Sequence, residues 1–209
     1  MKLQLALDDI TLENAVKLVE EVRENIDIIE IGTPMVIEYG MDAVRIMKEK
    51  FPQKEVLADL KIMDAGYYEA EEALKAGADY ITVLGVTDNL TIKGCVDAAR
   101  DYKAKVVVDM ICVADMEARI KKMEELGVDF VSVHVGVDQQ AAGRTPLDDL
   151  KLMSETVTCA KVSVAGGISV KTLPAYKQYK PDIIIVGSGI THGENPRETA
   201  REIYKILAE

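Results

Sequence analysis

The chain has 209 residues, of which 48% are hydrophobic and 29% are charged. This composition is typical of a soluble globular protein and excludes a disordered chain. The formal net charge of -11 repels nucleic acid and anionic lipid, so we expect neither as a partner. No run of residues approaches the ~18 apolar positions of a membrane-spanning helix, and the first residues lead into a strand-like segment rather than a signal peptide. The three cysteines show no CxxC spacing, which predicts a reducing, cytoplasmic location.

Short β-rich runs alternate with longer amphipathic segments along the whole chain. The pattern predicts eight strands, at residues 3–7, 26–31, 55–61, 80–84, 105–110, 130–135, 161–165 and 182–186. Helices are predicted between them, for example at residues 11–25, 35–50, 89–102, 115–126 and 196–207. The last of these helices has Asn195 as its capping residue and Pro196 at its first position.

The strict alternation of strand and helix predicts a parallel sheet covered by helices. A weak repeat supports it, because residues 76–79 (AGAD) and 126–129 (LGVD) both end a helix with Gly and enter a strand through Asp. Eight such units approach the lower size limit of a (β/α)8 barrel. The alternative, a doubly wound open sheet, needs a GxGxxG turn after the first strand, and residues 6–9 (ALDD) offer none. We therefore predict an α/β protein, a single (β/α)8 TIM barrel domain over residues 1–209.

Ionisable residues lie at the predicted carboxyl ends of five of the eight strands. They are Asp8, Glu30, Asp59 with Lys61, Asp109 and His134. The opposite ends of the strands carry mainly apolar or solvent-type residues. Barrel active sites lie at the carboxyl ends, and a buried ionised group costs several kcal/mol unless it is paired or binds a metal. The joint pattern indicates an active site rather than a set of solvated strand ends.

Two of these carboxylates, Glu30 and Asp59, come from adjacent strands and supply hard oxygen ligands, which favour Mg²⁺ over zinc. Lys61 lies two residues after Asp59, so both side chains should point the same way. The Lys61 ammonium would then place a fixed positive charge beside an oxyanion bound at the metal. Asp64 follows in a loop, where it either orients Lys61, reaches a partner subunit or caps the next helix. His134 is predicted to act as a general acid–base group.

Glycine-rich turns follow the last two strands, at residues 165–168 (AGGI) and 187–189 (GSG). Glycine lets backbone N–H groups approach a phosphate closely. In (β/α)8 barrels, the loops after strands 7 and 8 are the usual phosphate-binding site. Tight turns without a ligand are the alternative.

The loop after the sixth strand carries Gln140 and Arg144, and it either closes over a ligand or is merely solvated. His192, in the loop after the last strand, is predicted to be a surface residue.

This set of groups suits chemistry on a phosphorylated sugar. His134 would remove a carbon-bound proton, and the metal with Lys61 would stabilise the resulting enediolate. Spacing alone does not choose between isomerisation, epimerisation, decarboxylation and attack on an aldehyde. A non-catalytic sugar-phosphate binding protein is disfavoured, because binding alone would not need His134.

The chain resembles the orotidine-monophosphate decarboxylase suprafamily, whose mark is an Asp-x-Lys-x-x-Asp motif after the third strand. The matching stretches are residues 59–64 (DLKIMD), 6–8 (ALD) and 30–32 (EIG), with the glycines of the last two strands. The resemblance covers essentially the whole chain, and Glu30 and Asp59 are similar to the metal pair of the Mg²⁺-dependent branch. Members of that branch are dimers with active sites at the subunit interface, where the aspartate matching Asp64 is supplied across the interface.

Within this branch, the resemblance implies an aldolase that adds formaldehyde to D-ribulose 5-phosphate and gives D-arabino-hex-3-ulose 6-phosphate through a metal-stabilised enediolate. The alternative is the decarboxylase that acts on 3-keto-L-gulonate 6-phosphate, which has Glu at the end of strand 5 and Arg, Thr and Arg at three later positions. The chain has Asp109, Val137, Ala165 and Ser188 at these four positions. It is therefore more similar to the aldolase.

The resemblance also implies roles for the catalytic residues. His134 would take the C1 proton of the substrate, and Asp109 would position the substrate or a water. Lys61 would stabilise the enediolate, with help from Asp64 supplied by the other subunit.

For binding, the resemblance implies that Asp8 contacts sugar hydroxyls and that the main-chain N–H groups of Gly167, Gly187 and Ser188 hold the phosphate. The implied cofactor is Mg²⁺. The implied partners are a phosphorylated ketopentose, formaldehyde and a second copy of the chain.

Overall fold

Eight short strands rich in Val, Ile and Leu form the centre of the structure, a computed structural model that describes residues 1–208. The strands are β1 Lys2–Leu7, β2 Ile28–Ile31, β3 Glu55–Ile62, β4 Tyr80–Leu84, β5 Lys105–Asp109, β6 Phe130–His134, β7 Lys161–Ala165 and β8 Ile183–Val186. Each strand pairs in parallel with the next, and β1 pairs with β8, which closes the barrel. The predicted (β/α)8 fold is confirmed, and β2 begins two residues later than predicted.

Helices connect the strands and cover the outside of the barrel. They are α1 Leu12–Val22, α2 Thr33–Tyr39, α3 Met41–Lys50, α4 Gly66–Lys75, α5 Asn89–Tyr102, α6 Met116–Leu126, α7 Val137–Ala141, α8 Leu147–Thr156, α9 Leu173–Lys177, α10 Ser188–Thr191 and α11 Pro196–Ala208. In α1, Ala15, Leu18, Val19 and Val22 are buried, a spacing that places one apolar stripe against the barrel. None of the helices within residues 1–208 is long and apolar enough to cross a membrane.

The prediction of a single helix over residues 35–50 is wrong. Gly40 has φ 58° and ψ -151°, a backbone conformation that only glycine adopts readily. Its N–H donates to the Val36 carbonyl at 2.8 Å, and the chain then turns into a second helix. The predicted helix over residues 11–25 is α-helical only to Val22 and ends in a 3-10 turn over Arg23–Asn25.

Four aspartates repeat the same contact around the barrel. Each one precedes an even-numbered strand and accepts a hydrogen bond of 2.7–2.9 Å from a backbone N–H near the start of the preceding odd-numbered strand. They are Asp27, Asp79, Asp129 and Asp182. The weak repeat seen in the sequence at residues 76–79 and 126–129 is thus part of a fourfold pattern that ties the strands in pairs.

The interior of the barrel is apolar at its centre and polar at both mouths. A small buried cluster lies inside the barrel, separate from the main core between strands and helices; it consists of Ile28, Leu57, Tyr80, Val107, Phe130 and Ile183. Buried polar residues lie on the carboxyl-terminal side of this cluster, among them Glu30, Asp59, Thr82, Asp109 and Ser132. The apolar layer therefore separates the two mouths from each other.

Candidate active site

A cavity of about 670 Å³ opens at the carboxyl-terminal mouth of the barrel. Nine of the ten residues predicted for the site line it, namely Asp8, Glu30, Asp59, Lys61, Asp109, His134, Gly167, Gly187 and Ser188. The tenth, Asp64, does not line this cavity. The described residues that line it include five carboxylates and one lysine, so an anionic ligand would need local groups that compensate this negative charge.

Four ionisable side chains form a connected row across the cavity. Lys61 Nζ donates to Asp59 Oδ2 at 2.5 Å and lies 3.3 Å from Asp109 Oδ2. His134 Nδ1 lies 2.8 Å from the same Asp109 oxygen. Because Asp59 and Asp109 are only 6% and 4% exposed, water screens these contacts weakly. The lysine therefore bridges two buried carboxylates, and one of these holds the imidazole.

Asp59 and Lys61 both line the cavity, as their two-residue spacing predicts, although the end of β3 is irregular. The register between β3 and β4 shifts between Ala58 and Ile62, and Lys61 has φ 48°, a left-handed conformation that is uncommon outside glycine. The Lys61 N–H donates to Thr82 Oγ1 at 2.9 Å, and the same hydroxyl donates to Asp59 Oδ1 at 2.8 Å. These bonds offset the local strain and hold both side chains at the site.

Two further carboxylates of the cavity, Glu30 and Asp8, form no ion pair within residues 1–208. Glu30 is 8% exposed and accepts a hydrogen bond of 2.6 Å from Gln4 Nε2. Burial and the charge of Asp59 raise the pKa of Glu30 to about 8. Burial and the charge of Asp59 also raise the pKa of Asp8. Lys61 offsets only part of this effect, and a bound cation would offset the rest.

The Asp109–His134 contact determines which imidazole nitrogen faces a ligand. Burial acts to raise the pKa of Asp109, but the hydrogen bond and charge of His134, together with Lys61, lower it below its ordinary value. Asp109 is therefore a carboxylate at neutral pH and can only accept a hydrogen bond, which places a proton on His134 Nδ1. Nε2 is then the nitrogen that can exchange a proton with a ligand.

The glycine-rich turns after β7 and β8 form part of the cavity wall. Gly167 has φ 64°, and a side chain on Gly189 would come within 2.6 Å of the Ile168 carbonyl oxygen. The two turns therefore pack closely only because glycine occupies both positions. Gly187 and Ser188, at the start of α10, line the cavity beside them.

The loop after β6 folds against the cavity as the short helix α7. Gln140 Nε2 donates to the Val135 carbonyl at 2.7 Å, and its side chain lies beside Gly167 in the cavity wall. Arg144 instead donates to Asp149 at 2.9 Å, on the outside. Of the two polar residues singled out in this loop, only Gln140 reaches the cavity.

Asp64 lies in the exposed turn before α4. Its Oδ1 accepts a hydrogen bond of 2.7 Å from the Ala65 N–H. Lys61 is oriented by Asp59 and Asp109, so the structure does not assign that role to Asp64.

His192 lies at the rim of the cavity, where it is exposed as predicted. Its Nε2 is 2.8 Å from Asp9 Oδ2, and both residues contribute to the cavity wall.

A model of the orotidine 5'-phosphate decarboxylase / HUMPS family matches residues 1–203. The chain belongs to this family. It is 51% identical over 209 residues to a 3-hexulose-6-phosphate synthase from Bacillus subtilis strain 168, and the match covers 100% of both chains.

Solved structures of similar proteins have the same fold. A 3-hexulose-6-phosphate synthase from Salmonella typhimurium superposes with a TM-score of 0.98 at 52% identity and covers 100% of this chain and 99% of its own. A 3-keto-L-gulonate-6-phosphate decarboxylase from Vibrio cholerae superposes with a TM-score of 0.87 at 26% identity, covering 99% of this chain and 97% of its own.

The residues of this family member that could hold a metal are two carboxylates. Within residues 1–208, no group of three or more His, Cys, Asp or Glu side chains is placed to hold an ion. Glu30 and Asp59 are nevertheless both buried at the cavity, where their negative charges repel each other and a bound cation would stabilise both. Mg²⁺ is commonly bound by one or two carboxylates, with water and ligand oxygens completing its shell. The donor set therefore fits Mg²⁺ and does not resemble a zinc site.

Three supporting residues of the site were not predicted from the sequence. Thr33 Oγ1 donates to Asp59 Oδ2 at 2.9 Å, Thr82 holds both ends of the Asp59–Lys61 segment, and Gln4 holds Glu30. Two of them could have been identified in the sequence, because each is a polar residue inside an otherwise apolar strand: Gln4 in β1 and Thr82 in β4. Thr33 is the first residue of α2 and carries no such signal.

Proposed function

We propose that the chain is a 3-hexulose-6-phosphate synthase, an aldehyde-lyase that joins formaldehyde to D-ribulose 5-phosphate and gives D-arabino-hex-3-ulose 6-phosphate. The observation that carries the proposal is the row of Lys61, Asp109 and His134, in which a cation and a base contact the same carboxylate in one cavity. Full-length similarity to two synthases at 51% and 52% identity, against 26% for the decarboxylase, supports the aldol reaction over decarboxylation.

The substrate phosphate is bound by the main-chain N–H groups of Gly167, Gly187 and Ser188, at the glycine-rich wall of the cavity. Asp8 lies beside this wall, since a side chain on Gly187 would come within 3.5 Å of Asp8 Oδ2. Asp8 accepts hydrogen bonds from the sugar hydroxyls. A cavity of about 670 Å³ is within the range of small-ligand sites.

His134 Nε2 takes the proton from C1 of ribulose 5-phosphate, and the electron pair of the C–H bond moves into a C1–C2 enediolate. Asp109 holds the imidazole and stabilises its positive charge after the transfer. Lys61 supplies a fixed positive charge to the developing oxyanion.

The enediolate C1 then attacks the formaldehyde carbon and forms the new C–C bond. The formaldehyde oxygen receives the electron pair of the C=O bond and takes the proton back from His134. Ala165 pairs in register with His134, and its small side chain leaves room for an aldehyde beside the imidazole.

Glu30 and Asp59 are the residues that hold Mg²⁺ in this proposal. When bound, Mg²⁺ polarises the substrate carbonyl and balances negative charge in the carboxylate-rich cavity. Support comes from the burial of both carboxylates and from the raised pKa of Glu30.

The proposed active unit is a homodimer with its sites at the interface. Asp64 is flanked in the chain by large exposed apolar side chains, Met63 at 54%, Tyr67 at 39% and Tyr68 at 66%. Leu90 is 82% exposed on α5, which packs against α4. Monomeric proteins seldom expose such side chains together, and burying them against a second copy would place Asp64 at the interface.

We place this reaction in the cytoplasm. Cys95, Cys112 and Cys159 are free thiols, which suits a reducing compartment.

The decisive test measures formaldehyde consumption with ribulose 5-phosphate, with and without Mg²⁺. We expect Mg²⁺-dependent consumption and formation of a hexulose phosphate. Faster release of CO₂ from 3-keto-L-gulonate 6-phosphate than consumption of formaldehyde would contradict the proposal.

A further inference from the structure

A second cavity, of about 610 Å³, opens at the opposite, amino-terminal mouth of the barrel. The sequence pattern predicts mainly apolar or solvent-type residues there, and the structure brings five lysines together at this mouth. They are Lys2, Lys105 and Lys161 at the starts of β1, β5 and β7, Lys177 at the end of α9, and Lys180 in the turn before β8. One acidic residue, Asp182, is among the described residues that line the same cavity.

Two of these lysines share a single carboxylate. Lys2 Nζ forms an ion pair with Glu55, and Lys105 Nζ lies 3.3 Å from Glu55 Oε1. The Tyr80 hydroxyl donates to the same glutamate at 3.0 Å. One negative charge therefore serves two ammonium groups.

The other three lysines have no carboxylate within 4 Å among residues 1–208. Lys161 Nζ lies 5.7 Å from the centre of the Phe130 ring, and Lys177 Nζ donates to the Ile206 carbonyl at 2.5 Å. Asp182 Oδ2 accepts the Val162 N–H at 2.9 Å. This mouth therefore carries a surplus of positive charge.

The two mouths of the barrel have opposite charge. The active cavity holds five carboxylates and one lysine within its described walls, whereas the amino-terminal cavity holds five lysines in a chain whose net charge is -11. Converging like charges repel one another, and a concave surface concentrates their field. An anion bound between the lysines removes this repulsion.

We propose that the amino-terminal cavity binds a small phosphorylated anion of about the size of a sugar bisphosphate. The volume is in the range of small-ligand sites. Lys2 and Lys105 meet at Glu55, whereas Lys161 and Lys180 belong to the β7 and β8 side of the mouth. Two groups of lysines suit a ligand with two phosphates more than a single phosphate. Phe130, Pro181 and Ile183 supply apolar surface for the carbon skeleton.

Isothermal titration calorimetry with fructose 1,6-bisphosphate tests the proposal, at about 0.15 M salt so that weak surface attraction is screened. The test variant is Lys161→Gln with Lys180→Gln. The matched control is Lys17→Gln with Lys121→Gln, which removes two exposed lysines that pair with Glu13 and Glu117 elsewhere on the surface. Thermal melting confirms that both variants fold.

We expect wild type and control to bind the bisphosphate alike and the test variant to bind at least about tenfold more weakly. Wild-type binding should persist when ribulose 5-phosphate saturates the active cavity, and inorganic phosphate should bind more weakly than the bisphosphate. Formaldehyde-consuming activity should be equal in both variants.

Absence of wild-type binding, unchanged binding by the test variant, or displacement by ribulose 5-phosphate would each overturn the proposal. The readout is the heat of binding, so it does not depend on the proposed reaction.

Discussion

His134 Nδ1 lies 2.8 Å from Asp109 Oδ2, and the two residues end adjacent strands of the barrel. Asp109 is 4% exposed, and its carboxylate also accepts the Ile111 N–H at 2.9 Å. Its position is therefore set by the backbone, and it sets the position of the imidazole. This contact gives His134 the fixed orientation that a general base requires.

Replacing His134 with Gln should lower the rate of C1 proton exchange in ribulose 5-phosphate by roughly 10²–10⁴-fold, because no other imidazole is held in the row with Lys61. The measurement is uptake of deuterium at C1 by NMR, without formaldehyde. The control is His192→Gln, which changes the histidine at the cavity rim and should exchange at the wild-type rate. Wild-type exchange in His134→Gln would refute the role.

Chelation with EDTA should abolish activity, and added Mg²⁺ should restore it. Glu30→Gln and Asp59→Asn should each lower the affinity for Mg²⁺ by about tenfold or more, because each removes a charged ligand. Calorimetric titration with Mg²⁺ measures this directly. Glu38→Gln is the control, since Glu38 is exposed on α2 away from the cavity. Full activity in a chelated, metal-free sample would be inconsistent with the site.

Subunit mixing tests where Asp64 acts. Asp64→Ala and Lys61→Ala should each be almost inactive alone. If Asp64 serves the site of the other subunit, equal mixing should give about a quarter of the wild-type sites, since half of the dimers are mixed and each has one complete site. If Asp64 serves its own chain, mixing restores nothing, and the interface role is wrong.

Glu124 should make stability depend on pH in the acid range. Its Oε1 accepts the N–H groups of residues 158–160 at 2.7–2.9 Å. Burial acts to raise the pKa of Glu124, but these N–H groups outweigh it and lower the pKa to about 2, from an ordinary value of 4.5. The carboxylate therefore stabilises the folded state above about pH 4.5, and this contribution disappears as the pH falls through about 2.

The variant Glu124→Gln should be less stable than wild type at pH 7 by about 1 kcal/mol, a modest figure because the side chain is partly exposed. Urea unfolding at several pH values measures the difference, which should shrink below pH 4.5. Glu125→Gln, which removes a carboxylate paired with Lys122, is the control and should show a smaller effect. A constant difference down to pH 2 would contradict this account.

Much of the fold could be predicted because its signals are local. Buried parallel strands are continuous apolar runs, and the helices between them have one apolar face, so all eight strands were located. The break at Gly40 was missed, because the apolar spacing of residues 35–50 continues through it. A single glycine in a helical pattern does not reveal its φ, which depends on how the two helices pack.

Most of the candidate site could also be predicted, because parallel strands bring their carboxyl ends to one mouth of the barrel. Asp59, Lys61, Asp109 and His134 were placed together by that rule alone. Thr33 was missed because its contact with Asp59 joins residues 26 positions apart in the chain.

By itself, the sequence determined the order of strands and helices, the closed barrel and the ionisable residues at its active mouth, since each follows from short-range patterning and chain direction. Only the tertiary structure decided that Lys61 bridges Asp59 and Asp109, that Asp64 stays outside its own cavity, and that five lysines meet at the other mouth. The physical reason is that distance and burial between residues far apart in the chain depend on how the strands stagger and close, which no local pattern contains.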